Sequence, residues 1–296
     1  MDDALHHPAG AVSPETVEEI QAVVAIVNEY RLPVFPIARG KNLGYGGTAP
    51  VMAGSVVMDL SRMKRIEFDA ENGTVLLEPG VGFYDLYDYI QRHNLPYWLS
   101  TPGNSWGSVM GNALDRGVGY TPYGQHTENI CGLEVMLANG EVVRTGMGAF
   151  SGAPTWQTYK YGFGPAWDQM FVQSNFGIVT KMGMWLMPEP ESLMGMDVEF
   201  DRPEDLKVMV DTIAPLRRER LLTQSPSIGN WMRAAAVLTT RDQWTDEPGA
   251  LSDSVIDAIR RQFNIGWWGV SLRLYGREEV NKAAYKVLEE AMGNAG

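Results

Sequence analysis

The sequence has 296 residues, of which 45% are hydrophobic and 20% charged, the balance of a globular protein with one large or two ordinary domains. With 24 Lys and Arg against 36 Asp and Glu, the net charge is -12, which disfavours a nucleic-acid partner. The single cysteine, Cys131, excludes an internal disulfide, a CxxC redox pair and a zinc ribbon. No run of about 18 apolar residues predicts a membrane span.

The first 13 residues are acidic, contain histidine and lack the apolar run of a signal peptide. We therefore expect a loose tail, and the missing signal favours a cytoplasmic over a periplasmic location. Ser13, as an N-cap before Pro14, predicts the start of an amphipathic helix over residues 14–30. Further along, the patterns predict strands at 33–38, 55–60, 66–69, 74–78 and 178–187, and helices at 83–94 and 168–173. A first glycine-rich segment lies at 39–47 and a second at 102–124. A hairpin around Asn139-Gly140 is predicted at 132–145.

The motif Pro188-Glu189-Pro190 predicts a domain boundary, because glycine thins out and charge rises beyond it. The predicted elements there are, in order, a strand at 198–200, helices at 203–216 and 252–263, a strand at 267–275 and a helix at 278–291. This order indicates an α+β domain with an antiparallel sheet, and its few strands suggest an incomplete one. The predicted organisation is a tail at 1–13 and domains at 14–190 and 191–296.

Two motifs point to familiar chemistry but lack their required surroundings. Residues 44–49 fit the dinucleotide pattern G-x-G-x-x-G/A, yet Pro50 and a strand follow where a Rossmann loop must open a helix. What remains is a plain turn, or a loop whose backbone N–H groups surround an anion. Residues 103–107 match the G-x-S-x-G nucleophile elbow, but only His126 follows Ser105 and only Asp115 lies between, so a serine hydrolase is disfavoured. No histidine pair has metal-ligand spacing and no Walker motif is present, so we expect no metal site.

Three segments, 39–47, 102–124 and 175–180, share one chemical character. Each combines small residues with amides and hydroxyls, which allows close approach of the backbone to a large polar ligand. Aromatic residues are interleaved among them: Tyr45, Trp106, Tyr120 and Tyr123. The combination indicates a cofactor with both a phosphate bridge and flat rings.

The amino-acid sequences of these segments resemble those of the 4-cresol methylhydroxylase and vanillyl-alcohol oxidase family. The likeness is carried by RGKNLGYGG, DRGVGYTPYG, LEVMLANG, RTGMG, QSNFGIVT and WLMP, at 39–47, 115–124, 133–140, 144–148, 173–180 and 185–188. The resemblance implies an α+β fold, with a PCMH-type FAD-binding domain followed by part of a ferredoxin-like cap domain. It also implies FAD as cofactor, with the benzylic carbon of a para-substituted phenol as hydride donor and a quinone methide as the intermediate.

The resemblance further implies a set of site residues. Tyr45 matches a tyrosine that hydrogen-bonds the substrate phenolate, although an aromatic lid on the cofactor is the alternative role. Around the FAD pyrophosphate it places Arg39, Gly40, Asn42, Leu43, Gly44, Gly46 and Gly47. Along the flavin and its ribityl-phosphate arm it places Pro102, Ser108, Gly111, Asn112, Arg116, Gly117 and Gly119. Near the adenine it places Gly177, Ile178 and Val179.

The resemblance implies a small phenolic substrate, oxygen or a c-type cytochrome as electron acceptor, and a homo-oligomer at full length. Two departures qualify it. Gly103 stands where the oxidase branch carries an aspartate near the reactive flavin nitrogen, which weakens the case for oxidase reactivity, and Trp106 could narrow the pocket. Family members also continue past residue 296, where we expect the covalent flavin attachment and a Tyr-Arg pair. We therefore expect non-covalent FAD and little turnover from this chain.

Two alternatives stay open at this point. A 2-hydroxy-acid or sugar oxidase would share the FAD domain but needs a basic clamp for its substrate. Arg217, Arg218 and Arg220 form the only tight basic cluster, and at a predicted helix end they resemble a solvated face. The other alternative is a truncated FAD-binding module without catalysis.

Overall fold

The computed structural model describes residues 6–42 and 47–294. The chain forms two compact units. The N-terminal unit comprises residues 1–119 and 123–189, and the C-terminal unit comprises residues 120–122 and 190–296. The prediction of a loose tail is wrong for residues 10–12. Gly10–Val12 forms a strand, β1, that pairs in parallel with the strand Val56–Asp59.

The described residues of the N-terminal unit form three sheets. The strands are β1, β2 Val34–Ile37, β3 Val56–Asp59, β4 Ile66–Asp69, β5 Thr74–Leu77, β6 Tyr97–Trp98, β7 Ile130–Leu137, β8 Val142–Arg144, β9 Gly177–Trp185 and β10 Met187–Pro188. The strand orders are β1-β3-β2, parallel, then β4-β5-β9-β7-β8, antiparallel, and the pair β10-β6. The helices are α1 Val17–Tyr30, α2 Phe83–Arg92 and α3 Val109–Leu114, with 3-10 helices at His126–Asn129, Gly146–Ala149 and Trp167–Phe171.

Helix α1 begins three residues later than predicted. Its N-cap is Thr16, whose hydroxyl accepts a hydrogen bond from the Glu19 backbone N–H at 3.2 Å, whereas Ser13 instead donates to the Asp59 carbonyl. A threonine closer to the apolar run satisfies the free N–H groups of the first turn, so the helix begins there. The buried face of α1, at Ile20 and Val24, packs in a core with apolar side chains from the neighbouring elements.

The main core lies against the five-stranded sheet. Strand β7 is buried over nearly its whole length, as its run of mainly apolar residues between β8 and β9 requires. Helix α2 contributes Phe83, Leu86 and Ile90, whose helical spacing puts them on one face toward this core. The predicted hairpin around Asn139-Gly140 is confirmed by the antiparallel pairing of β7 with β8.

The C-terminal unit is an antiparallel sheet of three strands, in the order β11-β13-β12, with helices. Its strands are β11 Ser192–Phe200, β12 Ser227–Asn230 and β13 Trp268–Gly276. Its helices are α4 Leu206–Arg218, α5 Trp231–Leu238, α6 Asp253–Phe263 and α7 Glu278–Gly293, with 3-10 helices at Pro203–Asp205 and Arg241–Gln243. The α+β class and the antiparallel sheet are confirmed, while β12 and α5 were not predicted. Over 6–42 and 47–294, no helix has the length and apolar character that crossing a bilayer requires.

Candidate functional site

Arg39 anchors the first glycine-rich segment to helix α2. Its Nη1 lies 2.5 Å from Asp85 Oδ2 and also donates to the Gly80 carbonyl at 3.3 Å. The same carboxylate accepts from the Gly82 backbone N–H at 2.9 Å. A side chain at Gly82 would collide with the guanidinium, since its Cβ would stand 2.3 Å from Arg39 Nη1. The arginine charge is therefore compensated by Asp85, and its direct contact with FAD stays a prediction.

The rest of the first segment is only partly described. Gly40 has a φ of 63°, and a Cβ there would meet Thr48 Cγ2 at 2.1 Å, so both conformation and space call for glycine. Asn42 is exposed and Gly47 half-buried. Leu43, Gly44, Tyr45 and Gly46, all predicted site residues, lie outside the described residues.

The second glycine-rich segment lies directly beside the first. Asn104 Nδ2 donates to the Lys41 carbonyl at 2.8 Å. A Cβ on Gly111 would stand 3.4 Å from that of Ala38, which shows how closely the two backbones pass. Pro102 is half-buried in the same segment. The structure therefore brings the predicted pyrophosphate and ribityl segments together.

Ser108 fixes the turn into α3. Its hydroxyl donates to the Pro79 carbonyl at 2.6 Å and accepts from the Gly111 N–H at 3.1 Å. The Val109 N–H bonds to the Val81 carbonyl at 3.0 Å. Because Ser108 is buried and both of its hydrogen bonds are internal, its hydroxyl acts as a cap, and its predicted contact with FAD remains untested.

The backbone after α3 is packed against the polar side chains of Asn112 and Ser100. Arg116 is exposed with a φ of 54°, followed by Gly117, whose Cβ would collide with the Asn112 amide at 2.2 Å. A Cβ on Gly119 would lie 2.3 Å from the hydroxyl oxygen of Ser100. That hydroxyl is buried and has no hydrogen-bond partner among the described residues.

Just before the third segment, the backbone N–H of Gln173 donates to the carbonyl of Leu114, in the second segment, at 2.9 Å. Gly177 opens β9 and lies so close to β7 that a Cβ would stand 2.5 Å from Val135 Cγ1. Val179 is buried in the main core and Ile178 packs against the core of α1. These two side chains are therefore committed to the cores, which leaves mainly the backbone for a ligand.

A charge cluster centred on the buried Glu134 fixes β8 and β9 to β7 next to the third segment. Glu134 Oε2 accepts from Arg144 Nη2 at 2.7 Å, and Oε1 lies 3.1 Å from Lys181 Nζ and 3.1 Å from the Thr180 hydroxyl. Burial alone would raise the pKa of Glu134, but the hydrogen bonds from Arg144 and Lys181 outweigh it and lower that pKa. The cluster is a structural support of the segment.

The three segments suit FAD as the bound group. At Gly47 no described atom lies within 4 Å of where a Cβ would stand, and at Gly107 only two carbonyl oxygens do, at 3.9 and 4.0 Å. Packing does not require glycine at these two positions, so the bare backbone is available to a ligand. Backbone N–H groups free of side chains are the donors that a diphosphate needs, and the Ser100 hydroxyl adds an unsatisfied polar group.

Sequence reasoning did not find Asp85 or assign a role to His126. Asp85 follows Gly82 at capping-box spacing, which was the available signal.

Trp106 is 65% exposed and its ring meets that of Tyr84 edge to face, with 5.3 Å between centroids, and Gly103 is exposed. Among the described residues no group of three or more potential metal ligands occurs.

A cavity of about 410 Å³ lies elsewhere in the N-terminal unit. It is lined mainly by aromatic and aliphatic side chains after β8, among them Phe150, Tyr161, Phe163 and Trp167. None of the predicted cofactor residues that the structure describes lines it, so it is distinct from the described parts of the glycine-rich segments.

Comparison with known proteins gives a consistent picture. The family described as FAD binding domain matches residues 8–146. The 4-cresol dehydrogenase [hydroxylating] flavoprotein subunit of Pseudomonas putida is 44% identical over the whole chain, which covers 57% of that protein. The crystal structure of p-cresol methylhydroxylase with substrate bound matches 99% of the chain at 43% identity, with a TM-score of 0.97 and 58% of that structure covered.

A 4-ethylphenol oxidase from Gulosibacter chungangensis, solved as an isoeugenol complex, matches 97% of the chain at 36% identity. Its TM-score is 0.94, and the chain covers 56% of it. The chain thus spans a little over half the length of each of these relatives.

Proposed function

Because this chain belongs to the FAD-binding flavoprotein family that includes the 4-cresol dehydrogenase flavoprotein subunit, we propose that it oxidises a para-substituted phenol. FAD is the cofactor of this family, and the proposal concerns both the activity and the substrate. Its main support is the 44% identity to that subunit over the full 296 residues. Two of the matched structures are complexes, one with substrate and one with isoeugenol, and both support this class of ligand.

The proposed reaction follows from the chemistry of a phenol. Binding as phenolate pushes electron density toward the benzylic carbon, which then releases a hydride. Bound FAD supplies the acceptor for that hydride. The resulting quinone methide adds water at the benzylic carbon, and the proton of that water returns the aromatic oxygen to a phenol. The net change is a C–H converted into a C–OH with two electrons removed.

The protein's task in this scheme is positioning and anion stabilisation. We assign the grip on the diphosphate to the backbone of the first segment, held in place by the Arg39–Asp85 pair at 2.5 Å. We assign the ribityl arm to the backbone of 116–119 and the amide of Asn112. Tyr45, outside the described residues, is proposed to hydrogen-bond the phenolate.

The 2-hydroxy-acid alternative loses its candidate clamp. Arg217 Nη1 donates to the carbonyls of Leu222 and Thr223, both at 3.0 Å, and thereby closes the C-terminal turn of α4. Arg220 follows with a φ of 62° in the same turn. This geometry supports the interpretation of the cluster as a helix end.

Anaerobic reduction of the bound flavin tests the proposal. The protein, expressed from its complete reading frame and loaded with FAD, is mixed with 4-cresol or D-lactate without oxygen, and flavin bleaching is followed. We expect bleaching by 4-cresol only, with the product alcohol carrying oxygen from isotopically labelled water. Bleaching by lactate and not by the phenol would contradict the proposal. Subsequent addition of oxygen or a c-type cytochrome identifies the electron acceptor.

A further inference from the structure

His126 is a fully buried histidine two residues after the second glycine-rich segment. It begins the 3-10 helix His126–Asn129, which is tied to α3 because the Thr127 hydroxyl donates to the Ala113 carbonyl at 2.7 Å. Its ring packs against that of Phe83, with 5.8 Å between centroids. The imidazole therefore has little freedom to move relative to α2 and α3.

The ring contacts the side chain that the proposed site assigns to the ribityl arm. Nδ1 of His126 lies 2.5 Å from Oδ1 of Asn112. Since an amide oxygen can only accept, Nδ1 carries the proton in this arrangement. The amide in turn abuts Gly117, and Nε2 of the ring would stand 2.8 Å from a Cβ on Gly119. The Asn112 amide thus packs against Gly117, and the His126 imidazole packs against Gly119.

We propose that His126 is a positioning residue for FAD: it fixes the amide of Asn112 and, through it, the backbone of residues 116–119. This inference rests on FAD as the cofactor of the proposed function but not on the identity of the substrate. A histidine used only to fill the core would be replaceable by an apolar side chain of similar shape. A positioning histidine needs its N–H at the Nδ1 position.

The charge state of the ring agrees with this role. Burial lowers the pKa of His126 to about 4. Near neutral pH the ring is therefore an uncharged hydrogen-bonding group. It orients an amide without adding a charge beside the cofactor.

A pair of isosteric substitutions separates the two roles. His126→Asn keeps an N–H near the Nδ1 position, whereas His126→Leu has the same branched shape without a hydrogen bond. The purified 296-residue chain is stripped of FAD and titrated with FAD, with flavin fluorescence as the readout, for both variants and for each of them combined with Asn112→Leu. Urea unfolding of the FAD-free proteins measures the stability cost of each change, and His93→Leu, at an exposed histidine, is the control.

We expect His126→Leu to weaken FAD binding by about tenfold or more, and His126→Asn to remain within about threefold of the unsubstituted chain. In the Asn112→Leu background, His126→Leu should add no further loss, because its effect passes through the amide. Equal losses for Asn and Leu, or additive losses with Asn112→Leu, would overturn the inference and leave a core histidine. These outcomes are independent of which substrate reduces the flavin, whereas an unsubstituted chain that fails to bind FAD would overturn the cofactor assignment as well.

Discussion

Acid should destabilise the N-terminal unit through one buried side chain. The pKa of His126 is lowered to about 4 from 6.5, chiefly by burial, and no charged group of the described residues contributes to that shift. The unfolded chain therefore takes up a proton at a higher pH than the folded one. The stability due to the neutral ring is complete above pH 6.5, falls as the pH decreases, and is gone below about pH 4. The difference between the two pKa values corresponds to a contribution of about 3 kcal/mol to the free energy of unfolding.

Urea unfolding between pH 7 and pH 4 measures this contribution. His126→Asn removes the titrating ring, so the gap in unfolding free energy between the unsubstituted chain and the variant should change by about 3 kcal/mol over this range. Other groups titrate in both proteins and cancel in the comparison. His93→Asn, at an exposed position, controls for the loss of a histidine as such. A gap that stays constant between pH 7 and pH 4 would refute the claim that the ring is buried and neutral.

Three further substitutions test the supports of the site. Asp85→Asn leaves Arg39 without its counter-charge, so it should lower the unfolding free energy by about 1 kcal/mol and weaken FAD binding in a fluorescence titration; tighter binding would mean that the freed guanidinium contacts FAD. Glu134→Gln strands Arg144 beside a buried amide and should cost about 2 kcal/mol in urea unfolding, and an unchanged midpoint would contradict the structural role of the cluster. In a full-length version of the protein, Tyr45→Phe should weaken phenol binding without changing the flavin content, whereas an equal loss of flavin would mark Tyr45 as structural.

Local patterns were sufficient to predict the elements that have strong periodicity. Helix α2 follows from apolar residues at helical spacing, and the β7–β8 hairpin follows from Asn139-Gly140. The start of α1 was misplaced because Ser13 and Thr16 both carry capping hydroxyls, and in the structure Ser13 bonds to the Asp59 carbonyl while Thr16 caps the helix. Strand β1 was missed because three residues of an edge strand carry too little pattern to stand out.

The site, like the fold, was only partly predictable from the sequence. Sequence identified the three glycine-rich segments, since their composition is unusual for a packed domain. It did not show which groups face inward: Arg39 is engaged by Asp85, and Val179 lies in the core. The role of His126 depends on its contact with Asn112, fourteen residues away, and such a contact is visible only once the backbone is folded.

We propose that backbone amides of the three glycine-rich segments together hold FAD. Titrating the FAD-free 296-residue chain with FAD and following the complex through size-exclusion chromatography tests it most directly. We predict that one flavin per chain elutes with the protein, with visible absorption bands distinct from those of the free cofactor. Flavin that elutes entirely apart from the folded protein, at every concentration used, would contradict the claim.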